Sequence, residues 1–122
     1  MGIPSGSKIV GTILLVIGLF GPLWVFASPQ AVDAVTAGKA ICFDPRKGNC
    51  LACHIIAGGE SPGNIGPQLI NIQTRFPDRK ALHAQIWDAT VRNPQTIMPP
   101  FGRHHILSEQ EIDQVVAFLW TL

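Results

Sequence analysis

The sequence of 122 residues predicts an all-α domain of three to five helices. Three observations predict it. The C-terminal end carries a helix start signal followed by an apolar stripe at helical spacing. A second stripe, Leu82, Ile86 and Ala89, falls at i, i+4 and i+7. Between these segments proline and glycine mark stops, and no strand-like run stands beside the segment Cys50-Leu51-Ala52-Cys53-His54.

That five-residue segment organises the rest. It has the spacing C-x-x-C-H of a covalent c-type haem site. Two thiols add to the two vinyl groups of haem and form thioethers. Three residues apart on a helical turn, Cys50 and Cys53 lie on one face. His54 follows directly and can offer its imidazole to the iron as an axial ligand. Other uses of the pair fit less well. A zinc site needs about four N/S ligands, and the further candidates, Cys42, His83, His104 and His105, form no second C-x-x-C. A thioredoxin-like pair expects a βαβ context. A Cys50–Cys53 disulfide would close a very small, strained loop.

Composition narrows the class. Lys8 is the only charge in residues 1–27, and Ile9 to Ala27 is uncharged and mostly apolar. This reads as an export signal, with Val25-Phe26-Ala27 resembling a cleavage site. The run is also near the roughly 20 residues that span a bilayer, so an uncleaved anchor is the alternative. Either way the remainder, 28–122, is expected outside the cytoplasm, in the periplasm, as one monohaem domain. Without Lys8 the nine Lys+Arg become eight, against eight Asp+Glu. That neutral balance shows no basic patch for nucleic acid. So short a domain has a marginal apolar core, which a covalently held haem would complete. Cys42 is the odd third cysteine. It is expected as a small buried apolar residue, with a bridge to another chain or a reactive thiol as the alternatives.

The chain then reads in order. Gln30 to Phe43 is expected as a helix, weakened at Gly38 and ended by Asp44-Pro45, because the residue before proline avoids the helical region. A second short helix is expected from near Arg46, carrying Cys50 to His54. Ala57 to Gln68 contains four glycines and two prolines and must be loop. Pro67 lies 13 positions after His54, and its carbonyl can accept a hydrogen bond from the second ring nitrogen of His54. Leu69 to Arg75 has no decisive pattern. Phe76-Pro77-Asp78 opens the next helix with Asp78 as cap, and Asn93-Pro94 is expected to stop it. Trp87 sits near that helix's stripe, either as core or against haem.

Ile97-Met98-Pro99-Pro100-Phe101-Gly102 is the second chemically loaded stretch. Met98 is the only methionine apart from the initiator. Two following prolines hold it on stiff, extended backbone, a suitable mount for a thioether aimed at iron. The rivals for that position are His83, His104 and His105. The last helix opens with the capping box Ser108-Glu109-Gln110-Glu111 and a Leu107–Ile112 staple. Its stripe is Ile112, Val115, Val116, Leu119 and Trp120.

The order of helix, C-x-x-C-H, Gly/Pro loop, helix, Met-Pro and helix is similar to that of the class I cytochromes c. The particular wording resembles one family among them, SoxX. It lies in Gly48-Asn49-Cys50-Leu51-Ala52-Cys53-His54, Gly63-Asn64-Ile65-Gly66-Pro67, Asp88-Ala89-Thr90 with Asn93-Pro94, Met98-Pro99-Pro100-Phe101-Gly102 and Leu107-Ser108. The resemblance covers most of residues 28–122 and implies a cytochrome c-like fold around one haem c. It implies Cys50 and Cys53 as covalent haem attachments, His54 and Met98 as axial ligands, and Pro67 as hydrogen-bond acceptor for His54. It implies an electron-transfer subunit of a SoxAX complex, which joins thiosulfate to a cysteine of the SoxYZ carrier. The implied partners are a SoxA-like dihaem or monohaem cytochrome, the SoxYZ carrier and a small acceptor cytochrome. No catalytic residue is expected in this chain itself. The alternative is a free-standing periplasmic shuttle. A permanent subunit should show an apolar patch beside the haem edge, and a shuttle a small charged face.

Replacing Met98 with alanine tests the ligand set directly. A clear change of spin state in the absorption spectrum is expected, and an unchanged spectrum would place the sixth ligand elsewhere.

Overall fold

The computed structural model describes Met1, Gly2 and residues 29–122, with side chains of the main body from Asp33 onward. The export segment expected over 1–27 lies, apart from its first two residues, outside the described residues. Among the described residues there are four α-helices and no strand. They are α1 (Pro29–Phe43), α2 (Ile72–Arg75), α3 (Arg79–Trp87) and α4 (Glu109–Leu119), with 3-10 turns at Cys50–Ala52 and Ala89–Val91. None of these helices is long and apolar enough to cross a membrane.

Helix α1 ends where Asp44-Pro45 predicted, its last turn closed by Asp44 N–H donating to the Ala40 carbonyl at 3.0 Å. Gly38, expected to weaken the helix, instead serves its packing. A Cβ at Gly38 would overlap the backbone carbonyl of Gln114 on α4. The missing side chain lets α1 and α4 approach closely, and α1 packs chiefly on α4. Phe43 and Phe118 meet edge to face across this contact, centroids 6.1 Å apart.

Helix α4 starts as its sequence demands. Ser108 accepts from the Glu111 N–H, and the Glu111 carboxylate accepts from the Ser108 N–H at 2.9 Å. Ile112, Val115, Val116, Phe118 and Leu119 are buried. Trp120 lies past the helix end, half-buried, with the Arg79 guanidinium 5.8 Å from its ring. Leu107 and Ile112 are both buried, as the staple requires.

Two expectations are corrected. No α-helix starts near Arg46. Asn49 takes a left-handed conformation, φ 47°, and the chain then makes only the 3-10 turn Cys50–Ala52. Gly48 N–H is meanwhile held by the Ile41 carbonyl of α1 at 3.2 Å. A positive φ cannot continue a right-handed helix. The second correction concerns α3, which stops at Trp87 rather than at Asn93-Pro94. Asp88 takes an extended conformation and caps the next turn, its carboxylate accepting from Thr90 N–H at 3.0 Å. At the start of α3, Asp78 caps as expected, accepting from Ala81 N–H at 2.7 Å. The untyped segment from Leu69 to Arg75 ends in the single-turn helix α2.

Gly38→Ala should destabilise the protein by about 1–3 kcal/mol, the usual cost of overpacking. Denaturant unfolding of the haem-loaded protein reads it, with the α1–α4 contact as the site of loss.

Candidate functional site

The buried apolar residues form a shell around a hollow. Ile72 and Phe76 at α2, Leu82 and Ile86 of α3, Phe101, Leu107, and Val115 and Leu119 of α4 are buried and also face one cavity of about 780 Å³. That is at the upper end of small-molecule and cofactor sites. The core is therefore shaped for a large apolar guest.

Cys50, Cys53 and His54 line this cavity from the 3-10 turn, and Met98 lines it from the Met-Pro-Pro segment. The turn closes locally: Cys53 N–H and His54 N–H both donate to the Cys50 carbonyl, at 3.2 and 2.9 Å. The loop 57–68 then straps the turn from outside. Gly63 N–H donates to Leu51 O at 2.7 Å, Gly66 N–H to Cys53 O at 2.8 Å, and Leu69 N–H to Ile55 O at 2.9 Å. Gly66 lies against the His54 ring so closely that a side chain there would overlap it. The adjacent Pro67 carbonyl receives the His54 Nδ1–H at 2.7 Å. That bond occupies Nδ1, leaves Nε2 free of it and fixes the ring's orientation.

The other histidines do not line the cavity. His83 Nε2 faces α4, 3.1 Å from Glu109 and 3.7 Å from Asp113. His104 and His105 are exposed. Among the described residues no group of three or more His, Cys, Asp and Glu is arranged to hold a metal ion. Trp87 also lies off the cavity. It stacks on His83, centroids 6.2 Å apart, and fills the space beside Gly102. Its role is core packing.

Cys42 is fully buried. Its thiol hydrogen-bonds Cys50, and that bond, with burial second, raises its pKa far above the ordinary thiol value. Cys42 is thus enclosed by its own chain.

Sequence reasoning missed two supporting residues. Asp88 ties the end of α3 to the far end of the methionine segment: its carboxylate is 3.2 Å from Arg103 Nε, and Gly102 and Arg103 N–H both donate to Trp87 O. The Thr90 hydroxyl and the Thr90 N–H, with Arg103 further out, hold the Asp88 pKa below its ordinary value. The signal was the short Asp88-x-Thr90 spacing of a side-chain-capped turn. The other residue is Gln85, the polar member of a helix face that is otherwise apolar. Its amide points to the Met98 sulfur, Nε2 to Sδ 4.0 Å.

The donor set fits a covalent haem: two thiols and an imidazole on one turn, a thioether from a separate segment, and an apolar enclosure. Comparison with known proteins agrees. The family model for cytochrome c matches residues 35–122. The chain belongs to the cytochrome c family. A chain in the crystal structure of SoxXA from P. pantotrophus is 30% identical, with a TM-score of 0.64, covering 70% of this chain and 79% of that one. This cytochrome is accordingly a SoxX-like member of class I, all-α, and it carries covalent haem c. An uncharacterized lipoprotein of Aquifex aeolicus (strain VF5) is 38% identical over 79 residues, 61% of this chain. The cytochrome matches about a third, 36%, of that relative's length.

Asp88 gives a pH dependence of known sign. Its pKa is depressed by folding, so its contribution is complete above the unfolded aspartate value of about 3.9 and is lost as pH falls through the folded value. The wild-type advantage in Tm over Asp88→Asn should therefore be full at neutral pH and vanish in strong acid. Thermal scans across that range read it.

Proposed function

We propose that this cytochrome is the electron-transfer subunit of an exported SoxAX-type complex. The observation that carries the reading is the convergence of Cys50, Cys53, His54 and Met98 on one apolar cavity. In this reading Cys50 and Cys53 would hold the haem through thioethers, and His54 and Met98 would ligate its iron. Pro67 positions the His54 ring. The haem supplies a one-electron iron couple.

The protein's residues explain how that couple would be used. Ligation by both His54 and Met98 would leave the iron no open site for substrate. A methionine ligand raises the potential relative to two histidines, which suits an acceptor of electrons. The apolar wall of Ile72, Phe76, Leu82 and Ile86 keeps water from the site, so charge changes there meet a low dielectric. Arg75 and Arg92 also line the cavity, and neither is paired with a carboxylate among the described residues. They are suited to receive the two haem carboxylates. In this reading the chain's residues would hold and shield the haem for electron exchange with another protein, and none of them would perform bond chemistry on thiosulfate.

The surface supports a lasting partner over a passing one. Ile65, Ile97 and Ile106 border the cavity, and Ile65 and Ile97 are 65% and 74% exposed. Val91, 80% exposed, lies off the cavity, as do the exposed Ile55 and Ile70. A contiguous apolar patch beside a haem edge marks an interaction site, and Ile65, Ile97 and Ile106 are the residues placed to form one. The partner proposed is a larger SoxA-like haem chain, a proposal that the likeness to SoxXA supports. The electrons would come from coupling of thiosulfate to a SoxYZ-type carrier cysteine and leave to a small cytochrome. The setting proposed is the periplasm, with residues 1–27 as export signal or anchor and 28–122 as the haem domain.

Native purification with mass spectrometry of co-eluting chains tests this. A larger haem chain at one-to-one ratio, and haem reduction by thiosulfate plus carrier protein, are expected. A monohaem monomer unresponsive to thiosulfate would instead identify a free-standing shuttle.

A further inference from the structure

Helix α3 presents Leu82, Gln85 and Ile86 to the cavity. Leu82 and Ile86 are buried, apolar and spaced as a core stripe demands. Gln85 breaks that stripe. A polar residue on a core-facing stripe violates the local pattern, and such violations concentrate where function needs them.

The break has a partner. The Gln85 amide nitrogen lies 4.0 Å from Met98 Sδ, hydrogen-bonding range for a sulfur acceptor, and among the described residues this is the only hydrogen bond of the Gln85 side chain. The sulfur is held to meet it. Met98 N–H donates to Thr96 Oγ1 at 3.1 Å, and the following Pro99-Pro100 stiffens the backbone. A thioether sulfur is a weak acceptor with two lone pairs, and an amide NH₂ is a donor only. One lone pair can serve the iron while the other accepts from Gln85.

We propose that Gln85 is a positioning and tuning residue that sets the haem potential through the Met98 sulfur. This rests on the reading of Met98 as axial ligand. The partly positive amide hydrogens draw density from the sulfur and so weaken its donation to iron. The oxidised, electron-poor iron loses more by this than the reduced one. The potential therefore rises above that of methionine ligation alone, by a hydrogen bond to the ligand rather than by the ligand's identity. The half-buried position of Gln85 shields the bond from water and strengthens the effect.

Redox titration of four haem-loaded proteins, followed by absorption, tests it: wild type, Gln85→Leu, Met98→His and the double variant. Gln85→Leu should lower the potential, shifting the reduced-to-oxidised ratio threefold to tenfold, about 28–59 mV at 59 mV per tenfold for one electron. Its ferric spectrum should keep the methionine-to-iron charge-transfer band. In the Met98→His background the same change should shift the ratio less than twofold, since the sulfur is gone. Gln85→Ala serves as a second donor-free variant should Gln85→Leu load haem poorly. No shift in the methionine background, or an equal shift in both, overturns the proposal, because Gln85 would then act as packing or as a general dipole. A Met98→His protein with unchanged spectrum and potential would overturn the axial role of Met98 itself, a separate and recognisable result.

Discussion

The hydrogen bond from His54 to the Pro67 carbonyl, 2.7 Å long, is the contact on which the candidate site depends. An imidazole on a short turn has two rotatable bonds and two ring nitrogens that compete for a metal. The bond to Pro67 removes both freedoms. It requires Pro67 to sit beside the ring, which in turn requires Gly66 without a side chain and the three backbone bonds that strap the loop to Leu51, Cys53 and Ile55. The loop rich in glycine and proline is thus the second wall of the C-x-x-C-H turn.

The rest of the fold carries the same logic outward. Helices α1 and α4 pack closely at Gly38 and form the rigid back of the domain. Lys47, just before the turn, pairs with Glu111 in the capping box of α4. On the far side, His83 of α3 bonds Glu109 of α4, and Asp88 fastens the methionine segment through Arg103. Each tie holds one segment of the cavity wall to a helix. The buried apolar residues form one cluster, but eight of them also face a hollow. A covalently held haem supplies the missing apolar contact, which is how so short a domain acquires a stable interior.

Much of this was legible in the sequence, for reasons that differ by residue. The capping box at Ser108 and the cap at Asp78 are local devices, satisfied within three residues, so their sequence patterns and their geometries coincide. The Pro67 carbonyl was legible only because the chemistry of a ligating imidazole demands an acceptor. What local pattern missed was set by contacts distant in the chain. Gly38 reads as a weak point of the helix until Gln114 is seen against it. The segment from Arg46 reads as helix until Asn49 turns left-handed and Ile41 holds Gly48. Trp87 reads by spacing as either core or haem neighbour, and only its stacking on His83 and its packing beside Gly102 decide for core. The Asp88 turn was legible in its Asp88-x-Thr90 spacing, but its tie to Arg103 and that of Gln85 to Met98 were not, because those partners lie more than ten residues away.

Proton NMR of the reduced haem-loaded protein tests the central claim most directly, that the cavity holds a haem ligated by Met98. A methyl group bound at the face of a diamagnetic haem lies in the strongest part of the ring current. The account predicts a three-proton resonance far upfield of all ordinary methyl signals, assigned to Met98. A Met98 methyl at the ordinary position of a free thioether would contradict it.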